Sequence, residues 1–259
     1  MGWCCYQEST TRRLALLSHA ETALGDPEHL YMLQHRRVLG VLRDLHGQST
    51  VGVVEDLPDL GLRRIAKPLG VIAVPSPATT PVPGIVCNVL PMVKTRNAAV
   101  FSPNPLALGP ARATVRVVRD ALAEVSAPVD LVQCLEHTDR RTSAELMAGA
   151  DHVVAIGGAG TVRRASESGT PAVGTGVGDP TVVVDETADP ADAAEKIVTD
   201  ASYNNGTSCS SESNVLVHTS VLDEFSSQLK AQGAHLCTES KDCGCGAYSG
   251  PTTGNWTET

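Results

Sequence analysis

The sequence predicts an α/β fold built on a parallel sheet with helices on both faces. Short apolar runs bounded by turn residues recur from Gly70 onward, the mark of buried strands. Between them lie stretches whose apolar residues repeat at helical intervals. Glycine clusters close two successive strands, at Gly157-Gly158-Ala159-Gly160 and at Gly174-Thr175-Gly176-Val177-Gly178. Strand–helix alternation of this kind gives crossover connections and a parallel sheet.

The elements follow in order. Residues Thr11 to Leu45 are helical in composition, broken at Gly25-Asp26-Pro27. Leu30, Leu33, Val38, Val41, Leu42 and Leu45 recur at helical spacing in the second part. Val51–Val54 and Leu62–Ile65 flank a turn-rich stretch and predict a hairpin. Gly70–Val74 is a strand, Pro83–Lys94 a helix and Ala98–Phe101 a strand. Val115, Val118, Leu122 and Val125 share one face of the next helix. Asp130–Gln133 is a strand, and Thr142 with Glu145 has capping-box spacing for a short helix. His152–Ile156 is a strand, Thr161–Ser168 a helix stopped by Gly169, and Ala172–Val173 and Thr181–Val184 are strands. Asp189-Pro190 starts a helix whose core face carries Ala193, Ala194, Ile197, Val198 and Ala201. From Thr238 the chain is rich in Gly, Ser, Thr and Cys without periodicity, which predicts a disordered tail.

The 259 residues suffice for a sizeable core, and with 3% aromatics that core must consist of Val, Ala, Leu and Ile. A formal charge of −9 argues against nucleic-acid and anionic-membrane partners, which need clustered Lys and Arg. No apolar run approaches the roughly 20 residues of a membrane span, and the amino end lacks a signal peptide. The eight cysteines include no CxxC pair, so reduced thiols and a cytoplasmic location are expected. Cys237, Cys243 and Cys245 form a cluster without a partnering histidine, and no metal is expected.

Two places carry candidate chemistry. The Gly157–Gly160 cluster follows a strand and precedes a helix, where backbone N–H groups can receive a nucleotide phosphate. Its spacing is not GxGxxG, so a tight turn without a ligand competes with a cofactor loop. The second cluster at Gly176 and Gly178 favours the cofactor reading, because ligands bind at the carboxyl ends of parallel strands. Cys209 lies in the polar small-residue loop Asn204-Asn-Gly-Thr-Ser-Cys-Ser210. A thiol there is accessible as a nucleophile, although cysteine also occurs in loops without a chemical role.

Five segments in order resemble the aldehyde dehydrogenase superfamily, and within it the CoA-acylating branch of acetaldehyde and sulfoacetaldehyde dehydrogenases. They are Leu39-Gly-Val-Leu-Arg-Asp-Leu-His-Gly47, Ile65-Ala-Lys-Pro-Leu-Gly-Val-Ile72, Arg96-Asn-Ala-Ala-Val-Phe-Ser-Pro103, Val183-Val-Asp-Glu-Thr-Ala-Asp189 and the Cys209 loop. The resemblance implies a Rossmann-like aldehyde dehydrogenase cofactor domain with a parallel sheet, plus the beginning of the catalytic domain. The implied ranges are 1–50 helical, 51–66 an oligomerisation hairpin, 67–204 dinucleotide-binding, 205–237 the start of the catalytic domain and 238–259 an irregular tail.

By the same resemblance, Cys209 thiolate attacks an aldehyde carbonyl, hydride passes to NAD or NADP, and coenzyme A releases the acyl group. Cofactor contacts are implied for Thr79, Ser102, Asn104, Gly157, Gly158, Gly160, Gly176 and Gly178. Hydrolytic relatives carry a glutamate in a Glu-Leu-Gly-Gly stretch. The matching Gly174–Asp179 has none, which favours a thiol acceptor over water. Ser102-Pro-Asn-Pro105 stands where hydrolytic relatives have a ribose-binding lysine. Thr80 stands where the family has an oxyanion-stabilising asparagine, in Thr79-Thr80-Pro81. The chain ends soon after the cysteine, where the family continues. A fragment acting only as a nucleotide-binding or subunit-interaction module is therefore the alternative. The expected partners are a small aldehyde and either further copies of the chain or a full-length relative.

Overall fold

The computed structural model describes residues 2–235. The Cys237, Cys243 and Cys245 triplet and the tail from Thr238 lie outside the described residues. Two compact units are present: Met1–Gly178 with Tyr203–Ser210, and Asp179–Ser202 with the chain from Ser211. No helix among the described residues is long and apolar enough to cross a membrane.

The first unit opens with α1 (Gly2–Tyr6), α2 (Glu8–Thr22) and α3 (Pro27–Leu45). Asp26 starts α3, its Oδ1 accepting from the N–H groups of Glu28 (2.8 Å) and His29 (3.1 Å), with Pro27 in the first turn. Those backbone donors hold the Asp26 carboxyl below its usual pKa. The expected hairpin forms from β1 (Gly52–Leu57) and antiparallel β2 (Leu62–Ala66), with a bulge between Val53 and Glu55. Val53, Leu60, Leu62 and Ile65 are exposed on it, and Arg63–Asp56 (3.0 Å) and Arg64–Glu55 (2.9 Å) pair across it.

The sheet follows: β3 (Val71–Ser76), α4 (Pro83–Lys94), β4 (Ala98–Pro103), α5 (Leu108–Glu124), β5 (Val132–Cys134), α6 (Arg140–Gly149), β6 (His152–Ile156), α7 (Ala159–Glu167) and β7 (Ala172–Thr175). Its strand order is β5-β4-β3-β6-β7, with every pairing parallel. Period-2 alternation divides the core into two layers. Ile72, Val74, Ala99 and Phe101 pack with Ile85, Val86 and Val89 of α4 and Val115 and Val118 of α5. Ala73, Val153 and Ala155 pack with Met147 of α6 and Ala165 of α7. Helices therefore cover both faces, as the sequence predicts.

Three local readings need correction. The capping box of α6 is Asp139 with Thr142, not Thr142 with Glu145. Asp139 Oδ1 accepts from Thr142 N (2.7 Å), while Thr142 Oγ1 accepts from Asp139 N (2.9 Å). Glu145 instead pairs with Arg141 at 2.8 Å. Val125 lies beyond the end of α5 and is 70% exposed, so the helical stripe stops at Leu122. Finally, α7 begins at Ala159, two residues before the expected start, because Gly158 already accepts the first helical bonds from Thr161 and Val162.

The second unit contains β8 (Thr181–Val184), α8 (Pro190–Ser202), β9 (Asn214–Val217) and α9 (Leu222–Ala231). Here β8 pairs in parallel with β9 and not with the five-stranded sheet. Asp189 starts α8 through bonds from Ala191 N (2.9 Å) and Asp192 N (3.2 Å). Ala194 and Ile197 meet Val184 and Phe225 in the core.

Desolvation, reinforced by the neighbouring Asp200 carboxyl, raises the Glu212 pKa. A raised carboxyl pKa means the folded unit holds a proton that the unfolded chain has released. Stability is therefore full below the ordinary glutamate value of about 4.3 and falls as pH rises through the raised value. Glu212→Gln should remove this fall, so the variant's Tm advantage should grow as pH rises from about 4 toward neutrality. A constant Tm difference across that range would refute the assignment.

Candidate functional site

From β3 the chain adds β4 and β5 on one side, then returns to add β6 and β7 on the other. The β3/β6 boundary is thus the switch point, where strand carboxyl ends leave a crevice. A cleft of about 480 Å³ opens there. Ser76 ends β3, Ser102 and Asn104 end β4, and Gly157 and Gly158 lead from β6 into α7; all five line the cleft. Thr138, Asp139 and Arg140 at the start of α6, and Thr161 and Arg164 of α7, complete its walls.

The chemistry of the lining suits a polar, anionic ligand. The amino end of α7 has no side-chain cap, so its first N–H groups remain open to an anion. Ser76 is only 6% exposed and its Oγ has no hydrogen-bond partner. Thr138 Oγ1 and Arg164 Nε are likewise buried without partners. Buried polar atoms left unsatisfied cost about 1–3 kcal/mol each, a cost that a polar ligand offsets. Asn104 Oδ1 is already used, accepting from Leu106 N at 3.0 Å. The residues present therefore fit a phosphate-bearing nucleotide.

The cysteine loop lies in the same compact unit. Asn204 and Asn205 both adopt left-handed backbone angles, φ 53° and 59°, which asparagine tolerates better than most residues. Asn204 is buried, and its Nδ2 donates to the Thr79 carbonyl (3.2 Å) and to Thr207 Oγ1 (3.1 Å). Asn205 Oδ1 accepts from Gly25 N at 2.7 Å. Cys209 itself is exposed. Its carbonyl oxygen lies 2.0 Å from where a Cβ on Gly178 would stand, so this backbone approach requires glycine.

The sequence-derived residues thus fall into two groups. Ser102, Asn104, Gly157 and Gly158 line the cleft, while Thr79 and Gly178 touch the Cys209 loop. Gly160 lies in the first turn of α7, and Gly176 follows β7 beside Val162; neither lines the cleft. Thr80 and Thr79 line a separate cavity of about 10 Å³. Among the described residues no hydrogen bond joins Thr80 to Cys209. Sequence reasoning missed Ser76, Asp139, Arg140 and Arg164 in the cleft and Asn204 as the loop's anchor. Only Asn204 had a local signal, the Asn-Asn-Gly run that favours left-handed backbone.

The aldehyde dehydrogenase family profile matches residues 30–251. The chain belongs to that family. It is 37% identical over 238 residues to a sulfoacetaldehyde dehydrogenase (acylating) of Bilophila wadsworthia, covering 92% of this chain and 51% of that protein. The crystal structure of an acetylating aldehyde dehydrogenase from Geobacillus thermoglucosidasius superposes with TM-score 0.86 at 30% identity, over 93% of this chain and 54% of that one. A Rhodopseudomonas palustris propionaldehyde dehydrogenase with bound propionyl-CoA superposes with TM-score 0.74 at 30% identity, over 85% and 48%. The chain spans about half the length of these relatives.

Proposed function

We propose that this chain is the cofactor-binding half of a CoA-acylating aldehyde dehydrogenase, with Cys209 as its nucleophile. The observation that carries this reading is the uncapped amino end of α7 opening onto the switch-point cleft. The same unit contains a Cys209 loop held by Asn204 and by the close approach of Gly178. Relatives whose names include acylating or acetylating activity support the choice of reaction class.

In this reading the α7 N–H groups, Gly157 and Gly158 receive the dinucleotide phosphates, with Gly160 and Gly176 shaping the loops around them. Ser102, Asn104 and Thr79 are further cofactor contacts. Cys209 attacks the aldehyde carbonyl to give a thiohemiacetal, and a bound NAD or NADP supplies the hydride acceptor. The resulting thioacyl group on Cys209 then passes to the thiol of coenzyme A. Thr80 offers a hydroxyl to the developing oxyanion, and a missing donor there costs roughly a hundred- to a thousandfold in rate. The absence of a glutamate from Gly174–Asp179 fits an acceptor that needs less activation than water.

Thiol labelling tests the reading. Burial pushes Cys5 up to about 12 and Cys134 up to about 11, and raises Cys87, so those thiols stay protonated. Exposed Cys209 should react with iodoacetamide at least about tenfold faster than these three. NAD+ or NADP+ should change the Cys209 rate alone. Uniform labelling indifferent to either nucleotide would sink the assignment of Cys209 to a formed site.

A second reading rests on the exposed apolar face of the hairpin, where Leu60, Leu62 and Ile65 are more than half exposed. Such a face suits subunit contact, either between copies of this chain or with a full-length relative. Association in light scattering without turnover would favour this module over the enzyme.

A further inference from the structure

We propose that Arg140 and Arg164 form a subsite for an additional phosphate at the 2′ or 3′ position of the adenosine ribose, so that the cleft prefers adenine nucleotides carrying that phosphate over those without it, NAD+ included. The proposal rests on the nucleotide reading of the cleft and adds a specificity to it.

A dinucleotide pyrophosphate needs only the open N–H groups of α7 and the adjacent glycines. Two guanidinium groups in the same cleft exceed that need. Arg140 stands at the first position of α6 and Arg164 in the second turn of α7, on two different walls. Neither makes an ion pair among the described residues, whereas Arg141 of the same helix does. Arg164 donates from Nη2 to Thr161 Oγ1 (3.2 Å), which steers the guanidinium along the cleft wall, and its Nε is buried without a partner. This is a pre-positioned cation with bonding capacity left over. The buried, unpartnered Ser76 hydroxyl gives the cleft a further polar group to satisfy.

Carboxylates decide the sign of the selection. Nucleotide folds that prefer an unphosphorylated ribose place an acidic side chain on the 2′-hydroxyl, while an arginine accommodates a phosphate. At the end of β4 this chain has Ser102 and Asn104, both uncharged. Asp139 is the carboxylate in the lining, and its Oδ1 is tied to Thr142 N (2.7 Å) and Thr142 Oγ1 (3.1 Å) as the α6 cap. With two arginines against one engaged carboxylate, the cleft is locally cationic in a chain of formal charge −9. A phosphomonoester carries about −1.5 to −2 charges at neutral pH and accepts bidentate bonds from guanidinium.

One chemistry has two sources here, the 2′-phosphate of NADP+ and the 3′-phosphate of coenzyme A. Adenosine 2′,5′-bisphosphate and adenosine 3′,5′-bisphosphate represent them without the reactive ends, and AMP lacks the extra phosphate. Calorimetric titration of the full chain should show at least one bisphosphate binding about tenfold or more tightly than AMP. Arg140→Met and Arg164→Met should each lower that preference severalfold and together abolish it, with AMP affinity unchanged. Whichever bisphosphate shows the effect identifies the source. Equal binding of AMP and both bisphosphates by the unaltered chain would overturn the subsite and leave the nucleotide cleft standing. Failure of all three to bind would overturn both readings. Arg163→Met serves as the control, because Arg163 is exposed and lies outside the cleft lining, and it should keep the bisphosphate preference. If Arg140→Met or Arg164→Met loses AMP and bisphosphate affinity alike, the arginines are structural and the proposal fails.

Discussion

Phe101→Ala is expected to destabilise the first unit by about 3–5 kcal/mol, the range for deleting a fully buried phenylalanine. Phe101 is 0% exposed and sits in the middle of β4, paired with Val74 of β3 and Cys134 of β5. It is one of only two phenylalanines, and the core around it is mostly Val, Ile, Leu and Ala, chiefly from α4, α5 and β3, with Met92 and Cys5. Branched aliphatic neighbours fixed by their own strands and helices collapse poorly into the space of a lost ring. Ile65→Ala provides the contrast, since Ile65 is exposed on the hairpin and its loss should stay within about 0.5 kcal/mol. Urea unfolding of both variants makes the comparison. A Phe101→Ala loss below about 1 kcal/mol would show that the sheet core is not packed as described.

Gly178→Ala should dislodge the Cys209 loop, while Gly176→Ala should be tolerated. A Cβ at 178 would stand 2.0 Å from the Cys209 carbonyl oxygen, a backbone atom that no rotamer change can move aside. At 176 the nearest atom is Val162 Cγ2 at 3.8 Å, an ordinary van der Waals contact. Neither glycine has a positive φ, so backbone strain is absent from the comparison and close approach alone separates the two. Overpacking of this kind costs about 1–3 kcal/mol. The specific readout is Cys209 labelling, whose response to nucleotide should be lost in Gly178→Ala and kept in Gly176→Ala. Equal responses in both variants would show that Gly178 does not position the loop.

The helix Pro83–Lys94 was legible to the residue, because proline marks its first turn and a continuous apolar face marks its body. His152–Ile156 was equally plain, as the four-residue apolar run Val153–Ile156 lies between a polar helix and a glycine cluster. Such features depend on neighbours in sequence. The cleft's arginines do not. Arg163 and Arg164 are adjacent in the chain, and α7 is too short and too polar for hydropathy to fix its rotation. In the fold Arg163 is exposed and Arg164 lines the cleft. The start of α6 was misjudged because Asp139 and Thr142 are both good caps, and the choice rests on which one precedes the first helical turn. The partnership of Gly178 with Cys209 was invisible for another reason: a glycine required by a distant carbonyl looks the same in sequence as one required by a turn.

The switch point also dictates an order of assembly. Strand β3 meets β4 from nearby sequence, but its other edge waits for β6, and Val71 N reaches Asp151 Oδ2 across 80 residues. Closing that seam carries the larger entropic penalty, so the β3–β4–β5 side can form first and the β6–β7 side docks afterwards. Gly157, Gly158 and Arg164 all arrive with the later side, whereas Ser102 and Asn104 belong to the earlier one. A ligand lying across the cleft would therefore clamp the least local joint of the sheet, and occupancy would slow the opening of that joint before any other.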